Sequence, residues 1–101
     1  MGYLEINQLS ELIKDSIPCK KLKILGEISS PKLSQGNMYL SLKDKNASIN
    51  AIIFKKYLEN INEDIKEGDK VIVKGRLNYW EKNGSISIII IKIIKYMGKG
   101  D

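Results

Sequence analysis

Residues 26–54, GEISSPKLSQGNMYLSLKDKNASINAIIF, constrain the fold of this chain more than any other stretch, because they hold two strand-like runs around a short turn. Met38, Leu40 and Leu42 fall on one parity and Tyr39, Ser41 and Lys43 on the other, the alternation of a strand with one buried face. Ile49, Ala51 and Ile53 repeat the apolar parity after the turn. With Lys45 and Asn46 at the turn's centre, Leu42 is predicted to pair with Ile49, Leu40 with Ala51 and Met38 with Ile53, so the apolar positions meet on one face. The opposite face then presents Tyr39, Ser41, Lys43, Ser48, Asn50, Ile52 and Phe54. Exposed aromatics beside a cation and small polar groups suit a single-stranded nucleic acid better than a catalytic site.

At 101 residues the chain has material for one domain with a single modest core. Its formal charge of +5 favours an anionic partner, and the distribution of that charge is more informative than its sum. Residues 20–45 carry six lysines against Glu27 and Asp44, whereas residues 46–65 carry Glu59, Glu63 and Asp64 against Lys55 and Lys56. Positive charge is therefore concentrated near the exposed aromatics. Cys19 is the only cysteine, which excludes an intrachain disulfide and points to a reducing compartment; it reads as a small buried filler. With no histidine, Cys–His and Ser–His catalysis and histidine-based metal sites are excluded. Without a span-length apolar run or a signal-peptide pattern, a soluble, cytoplasmic protein with no membrane partner is expected.

Taken in order, residues 3–17 place Ile6, Leu9, Leu12, Ile13 and Ile17 at helical spacing, with Asn7 as the expected N-cap and Pro18 as the stop. Its apolar stripe predicts a helix that covers the rest of the fold. Residues 20–29 alternate Leu22, Ile24, Gly26 and Ile28 against Lys21, Lys23, Leu25 and Glu27, a first strand with a bulge or bend at Gly26. Residues 30–36, SPKLSQG, read as a mobile loop of the kind that often contacts ligands, although an ordinary connection would look similar. After the two central strands, residues 55–62 read as a short helix with Leu58, Ile61 and Ile65 on one side, ending in an acidic turn with Gly68 and Asp69. A strand over residues 70–80 puts Val71, Val73, Gly75, Leu77 and Tyr79 inward.

Asn83-Gly84 is the strongest hairpin signal, and centring the turn there pairs Tyr79 with Ile88, Leu77 with Ile90, Trp80 with Ser87 and Arg76 with Ile91. The last strand, residues 85–96, leaves Ile89, Ile91 and Ile93 outward and in need of cover. Residues 1–18 thus form an N-terminal helix, residues 20–96 a barrel and residues 97–101 a mobile tail. Five strands with flanking helices, one of them between the third and fourth strands, is the arrangement of the all-β OB-fold, a five-stranded Greek-key barrel that binds oligonucleotides.

The residues GEISSPKLSQGNMYLSLKD, INAIIFKK, GDKVIVKGRLNYWEKNGSISIIIIKI and the closing GKG, with INQLSELIK in the opening helix, resemble in order and spacing the N-terminal OB domain of the exodeoxyribonuclease VII large subunit. The resemblance implies a domain that grips single-stranded DNA and presents it to a nuclease domain further along the chain, in an assembly with a small subunit and with a role in DNA repair. It implies no hydrolytic activity and no cofactor for these 101 residues. Where the family often carries an aromatic after GEIS and a histidine after the loop glycine, this chain has Pro31 and Asn37, so one stacking and one polar contact are expected to be missing.

Tyr39, Phe54 and Trp80 are the expected stacking residues, and Lys43, Lys74 and Arg76 the expected phosphate contacts, with Lys32 reaching in from the first loop and Lys82 from the last hairpin. Ser41, Asn50 and Asn78 are expected to meet bases or sugars. Glu63, Asp64, Glu67 and Asp69 read as a solvated turn, so neither catalytic nor metal-ligating residues are assigned. Two other readings stand beside this one: a protein-docking module using the Ile89, Ile91 and Ile93 surface, and RNA binding of the kind related barrels use for tRNA anticodons.

Overall fold

The protein's computed structural model describes residues 2–96; the expected tail lies outside them. The elements are α1 (Ile6–Ser16), β1 (Leu22–Ser34), β2 (Asn37–Lys43), β3 (Ser48–Ile53), α2 (Lys55–Leu58), β4 (Lys70–Trp80) and β5 (Ser85–Lys95). The strands close into a barrel in the order β1-β2-β3-β5-β4, with β1 returning to pair with β4. All pairings are antiparallel except β3 with β5. This is the five-stranded OB barrel that the element order implied.

The β2–β3 register is the predicted one, with Leu42 opposite Ile49, Leu40 opposite Ala51 and Met38 opposite Ile53. Local chemistry explains why. The Asp44 carboxylate accepts from the N–H groups of Asn46 and Ala47, and Asp44 N–H donates to the Ala47 carbonyl, which locks a two-residue turn at Lys45 and Asn46. The inner face packs Ile28, Leu40, Leu42, Ile53, Val71, Val73, Ile88, Ile90 and Ile93 into one core, with Tyr57, Leu58, Ile61 and Ile65 against it.

Residues 30–36 are not the expected loop. β1 runs on to Ser34 and pairs with β2 as a hairpin arm, turning tightly at Gln35 (φ 55°) and Gly36 (φ 86°). Both turn residues adopt positive φ, as the type I′ turn requires. Gly26 holds regular pairing with Val71; the bulge comes instead between Ser29 and Lys32, with Ser30 at φ 55°. Ser30 N–H donates to the Glu67 carboxylate at 2.6 Å, and Ile28 exchanges backbone hydrogen bonds with Gly68 and Asp69. The acidic turn therefore stitches the bulge down. Two of its carboxylates have structural work, since Asp69 also accepts from Lys66 N–H and pairs with Lys95. α2 is shorter than predicted, a single four-residue turn extended by hydrogen bonds from Asn60 and Ile61.

The last hairpin is shifted by two residues from the predicted register. Trp80 faces Ser85, Leu77 faces Ile88 and Arg76 faces Ile89, because the turn spans four residues rather than two, with Gly84 at φ 69° and its N–H donating to the Trp80 carbonyl. A second irregularity lies between Lys74 and Gly75, where β5 carries the additional residue Ile91. Alternation on β5 resets there, so Ile93 turns into the core instead of outward, and Ile94 is left exposed. Gly75 is required at this point. A Cβ on it would lie 2.3 Å from the Ile89 carbonyl oxygen, which is backbone and has no side-chain rotation with which to give way.

The N-cap of α1 is Glu5, not the expected Asn7: Gln8 Oε1 accepts from the Glu5 N–H at 2.9 Å. Nor does its stripe cover the barrel. Ile6 and Leu12 are 77% and 52% exposed, while Ser10 is buried. The helix packs at β4, where Lys14 meets Glu81 of the β4–β5 turn at 2.6 Å, a hydrogen bond that raises the Lys14 pKa above the ordinary lysine value. Cys19 is exposed, not buried, in the segment that leads to β1. No helix among the described residues is long and apolar enough to cross a membrane.

Three variants measure these points. Gly75→Ala is expected to cost about 2–3 kcal/mol of stability in urea denaturation, near the top of the overpacking range, because backbone must move. Leu9→Ser combined with Leu12→Ser should change stability by less than about 1 kcal/mol. Ile90→Ala, at the centre of the core, should cost about 2–5 kcal/mol.

Candidate nucleic-acid interface

Pairing across the barrel arranges the outward side chains in rows. One runs Lys32, Tyr39, Ile52, Ile89, Arg76 over β1, β2, β3, β5 and β4. The next, one step along the strands, runs Ser29, Ser41, Asn50, Ser87, Asn78. Ser41 donates to Asn50 Oδ1 at 3.3 Å within it. Ile52 and Ile89 are outward yet buried, an apolar strip along the parallel β3–β5 contact and separate from the inner core.

A groove of about 440 Å³ crosses these rows, lined by Tyr39, Asn50, Ile52, Phe54, Trp80, Asn83, Ser85 and Ser87. All three predicted aromatics therefore share one concavity. Tyr39 is 45% and Trp80 37% exposed, which leaves ring surface free for stacking, and Phe54 is half-buried at the end of β3. The Trp80 indole N–H donates to Ser87 Oγ at 2.6 Å. That bond crosses two residues along the strand and swings the ring over the groove, so Trp80 reaches Ser87 although its register partner is Ser85. Among the described residues, no buried side-chain polar atom lacks a partner; Ser87, buried in the groove, takes the Trp80 bond.

The remaining predicted residues divide. Lys32 stands opposite Tyr39, on the β1–β2 arm and not in a loop; Arg76 and Asn78 end the two rows on β4; Lys82, exposed in the last turn, adjoins the groove-lining Asn83. Lys43 and Lys74 lie outside the groove. Lys43 is the register partner of Glu27 and Ser48 and lines a different hollow with Lys45 and Lys70. Lys74 lies two residues beyond Arg76, beside Lys23 and Lys92. Asn37, the departure after the loop glycine, has a structural role: its Oδ1 accepts from Lys55 N–H at 2.9 Å and ties β2 to the start of α2. Ser85, Ser87 and Asn83 escaped sequence prediction as groove residues, although the outward parity of the two serines was readable beside Trp80.

The sequence profile of the OB-fold nucleic acid binding domain matches residues 4–94, so the chain belongs to that family. Along its full length it resembles the exodeoxyribonuclease 7 large subunit: the protein of that name from Clostridium novyi is 38% identical over 103 residues, covering 100% of this chain. The chain spans about a quarter of the length of that relative, 26%. Among solved structures, the S. pombe Stn1-Ten1 complex aligns over 80% of this chain and 61% of its own, with a TM-score of 0.67 and 15% identity. A replication protein A heterotrimer bound to single-stranded DNA aligns over 83% of this chain and 63% of its own, with a TM-score of 0.65 and 17% identity. At these identities the likeness is one of fold.

The Ser87–Trp80 bond is testable without any ligand. Ser87→Ala should free the indole, seen as faster depolarisation of Trp80 fluorescence and a shifted emission maximum, with thermal stability nearly unchanged.

Proposed function

We propose that the chain is a single-stranded DNA-binding OB domain that lays bases on Tyr39, Phe54 and Trp80 and holds phosphates at the groove's two edges through Lys32, Arg76 and Lys82. The observation that carries this reading is the meeting of three aromatics, Asn50 and Ser87 in one open groove. Stacking contributes about 1–3 kcal/mol per base and tolerates any sequence, and the short polar groups between the rings suit sugars and base edges without a fixed code. Ser41 and Asn78 extend that polar row on either side. The likeness to exodeoxyribonuclease 7 large subunits, over a quarter of their length, supports a place in a longer cytoplasmic protein. There residues 1–101 would act as one domain that presents a strand to a nuclease portion, alongside a small subunit. The 101 residues supply binding and no hydrolysis.

The docking alternative loses support from its own surface. Ile93 is in the core, Ile89 is buried and Ile91 half-buried, so these three isoleucines do not form a free face.

Titration of Trp80 emission and of labelled-oligomer anisotropy with single-stranded DNA, the matching RNA and duplex tests the reading. Single-stranded DNA is expected to quench Trp80 most strongly and to weaken as salt rises. Tyr39→Ala and Phe54→Ala should each cost about 1–3 kcal/mol of affinity. Preference for RNA would redirect the assignment to ribose recognition. Flat anisotropy at low salt would end it.

A further inference from the structure

On the side of the barrel away from Tyr39, three lysines stand in one cross-strand row. Lys74 is the register partner of Lys23 on β1 and of Lys92 on β5, and all three side chains are exposed. Like charges placed directly opposite on a sheet repel, so the row costs the free fold some stability. Among the described residues none of the three forms an ion pair. The row borders a hollow of about 350 Å³ floored by Ile72, Ile93 and Ile94. An adjoining hollow shares Lys74 and Lys92 and adds Lys21, with Glu63 as its single carboxylate.

The row joins the outer face that carries the aromatic groove through Arg76. Lys74 and Arg76 share the outward face of β4, about 7 Å apart along the strand, and Arg76 ends the row that begins at Lys32 and Tyr39. A strand passing Arg76 thus meets Lys74 next. The β5 bulge makes the alignment: the additional residue at Ile91 brings Lys92 opposite Lys74.

We propose that Lys23, Lys74 and Lys92 form a second phosphate-binding surface, which takes the backbone of a nucleic-acid strand after it leaves the aromatic groove past Arg76. The proposal rests on the single-strand reading above and extends the bound path from β2 round to β1. The hollow at the row has no aromatic lining, and Tyr57 of the adjoining hollow packs against the core, so the contact is with phosphate and carries no base preference. A lysine ammonium acts there as a point charge, which suits a backbone of varying conformation.

The experiment compares the protein with its Lys23→Gln/Lys74→Gln/Lys92→Gln variant, using labelled single-stranded DNA of about 5 and about 16 nucleotides, the span of OB-site sizes. For the parent, the longer oligomer should bind more tightly and with the steeper dependence on salt. In the variant the log–log salt slope for the longer oligomer should fall by about 2, from three phosphate contacts at ~0.7 each. The slope for the short oligomer should change much less, and the melting temperature should rise as repulsion is relieved. An unchanged long-oligomer slope would overturn the second surface while leaving the groove intact, and would turn attention to an acidic protein segment as the row's occupant. Equal losses for both lengths would also overturn it, by merging the row with the groove. Failure of the parent to bind either oligomer would sink the groove and the row together.

Discussion

The close approach of β5 to Gly75 is the constraint on which the rest of the barrel depends. Five strands close only if the β4–β5 ribbon bends sharply, and here the bend places the Ile89 carbonyl where any side chain on residue 75 would stand. The unpaired Ile91 absorbs the resulting mismatch in strand length. Past it, β5 presents Ile93 to the core and can still run alongside β4 to Lys95. Closure, core composition and the facing of the last third of β5 thus follow from one glycine and one bulge.

The outer surface inherits its order from that closure. The parallel β3–β5 contact seals the barrel and buries Ile52 and Ile89 on the outside, giving the sheet an apolar strip between two polar edges. Tyr39 and Phe54 stand at one side of the strip and Trp80 at the other, pinned by Ser87. On the proposed single-strand reading, a Trp80 ring held this way would need little ordering when a base arrives, which would lower the entropic cost of stacking. Lys32 on β1 and Arg76 on β4 end the row that crosses the strip, where the proposed reading has phosphates bound.

The β1–β2 arm is stabilised from a distance. Its bulge holds Ser30 at positive φ, a conformation that costs a non-glycine residue about 1–3 kcal/mol and persists when its surroundings fix it. Glu67 and the backbone at Gly68 and Asp69 do so, and Asp69 is tied in turn to Lys95. The acidic turn between α2 and β4 is therefore a brace for the arm that carries Lys32 and Tyr39.

What the sequence alone determined was the local order: five strands, their inward and outward parity as far as the β5 bulge, the β2–β3 register and the sharing of one outer face by Tyr39, Asn50 and Phe54. Each follows from period-two alternation or from a turn whose Asp44 cap lies within its own segment. The tertiary structure alone decided where segments met across the barrel. It set the two-residue shift of β4 against β5, the inward turn of Ile93, the extension of β1 through residues 30–34, and the placing of α1 beside β4 with Ile6 and Leu12 in solvent. It also carried Lys43 and Lys74 away from the aromatic groove while leaving Tyr39 and Trp80 in it. Parity tells which side of a strand a residue faces, but position around a closed barrel depends on strand neighbours that are distant in sequence, and those are chosen by closure and core packing.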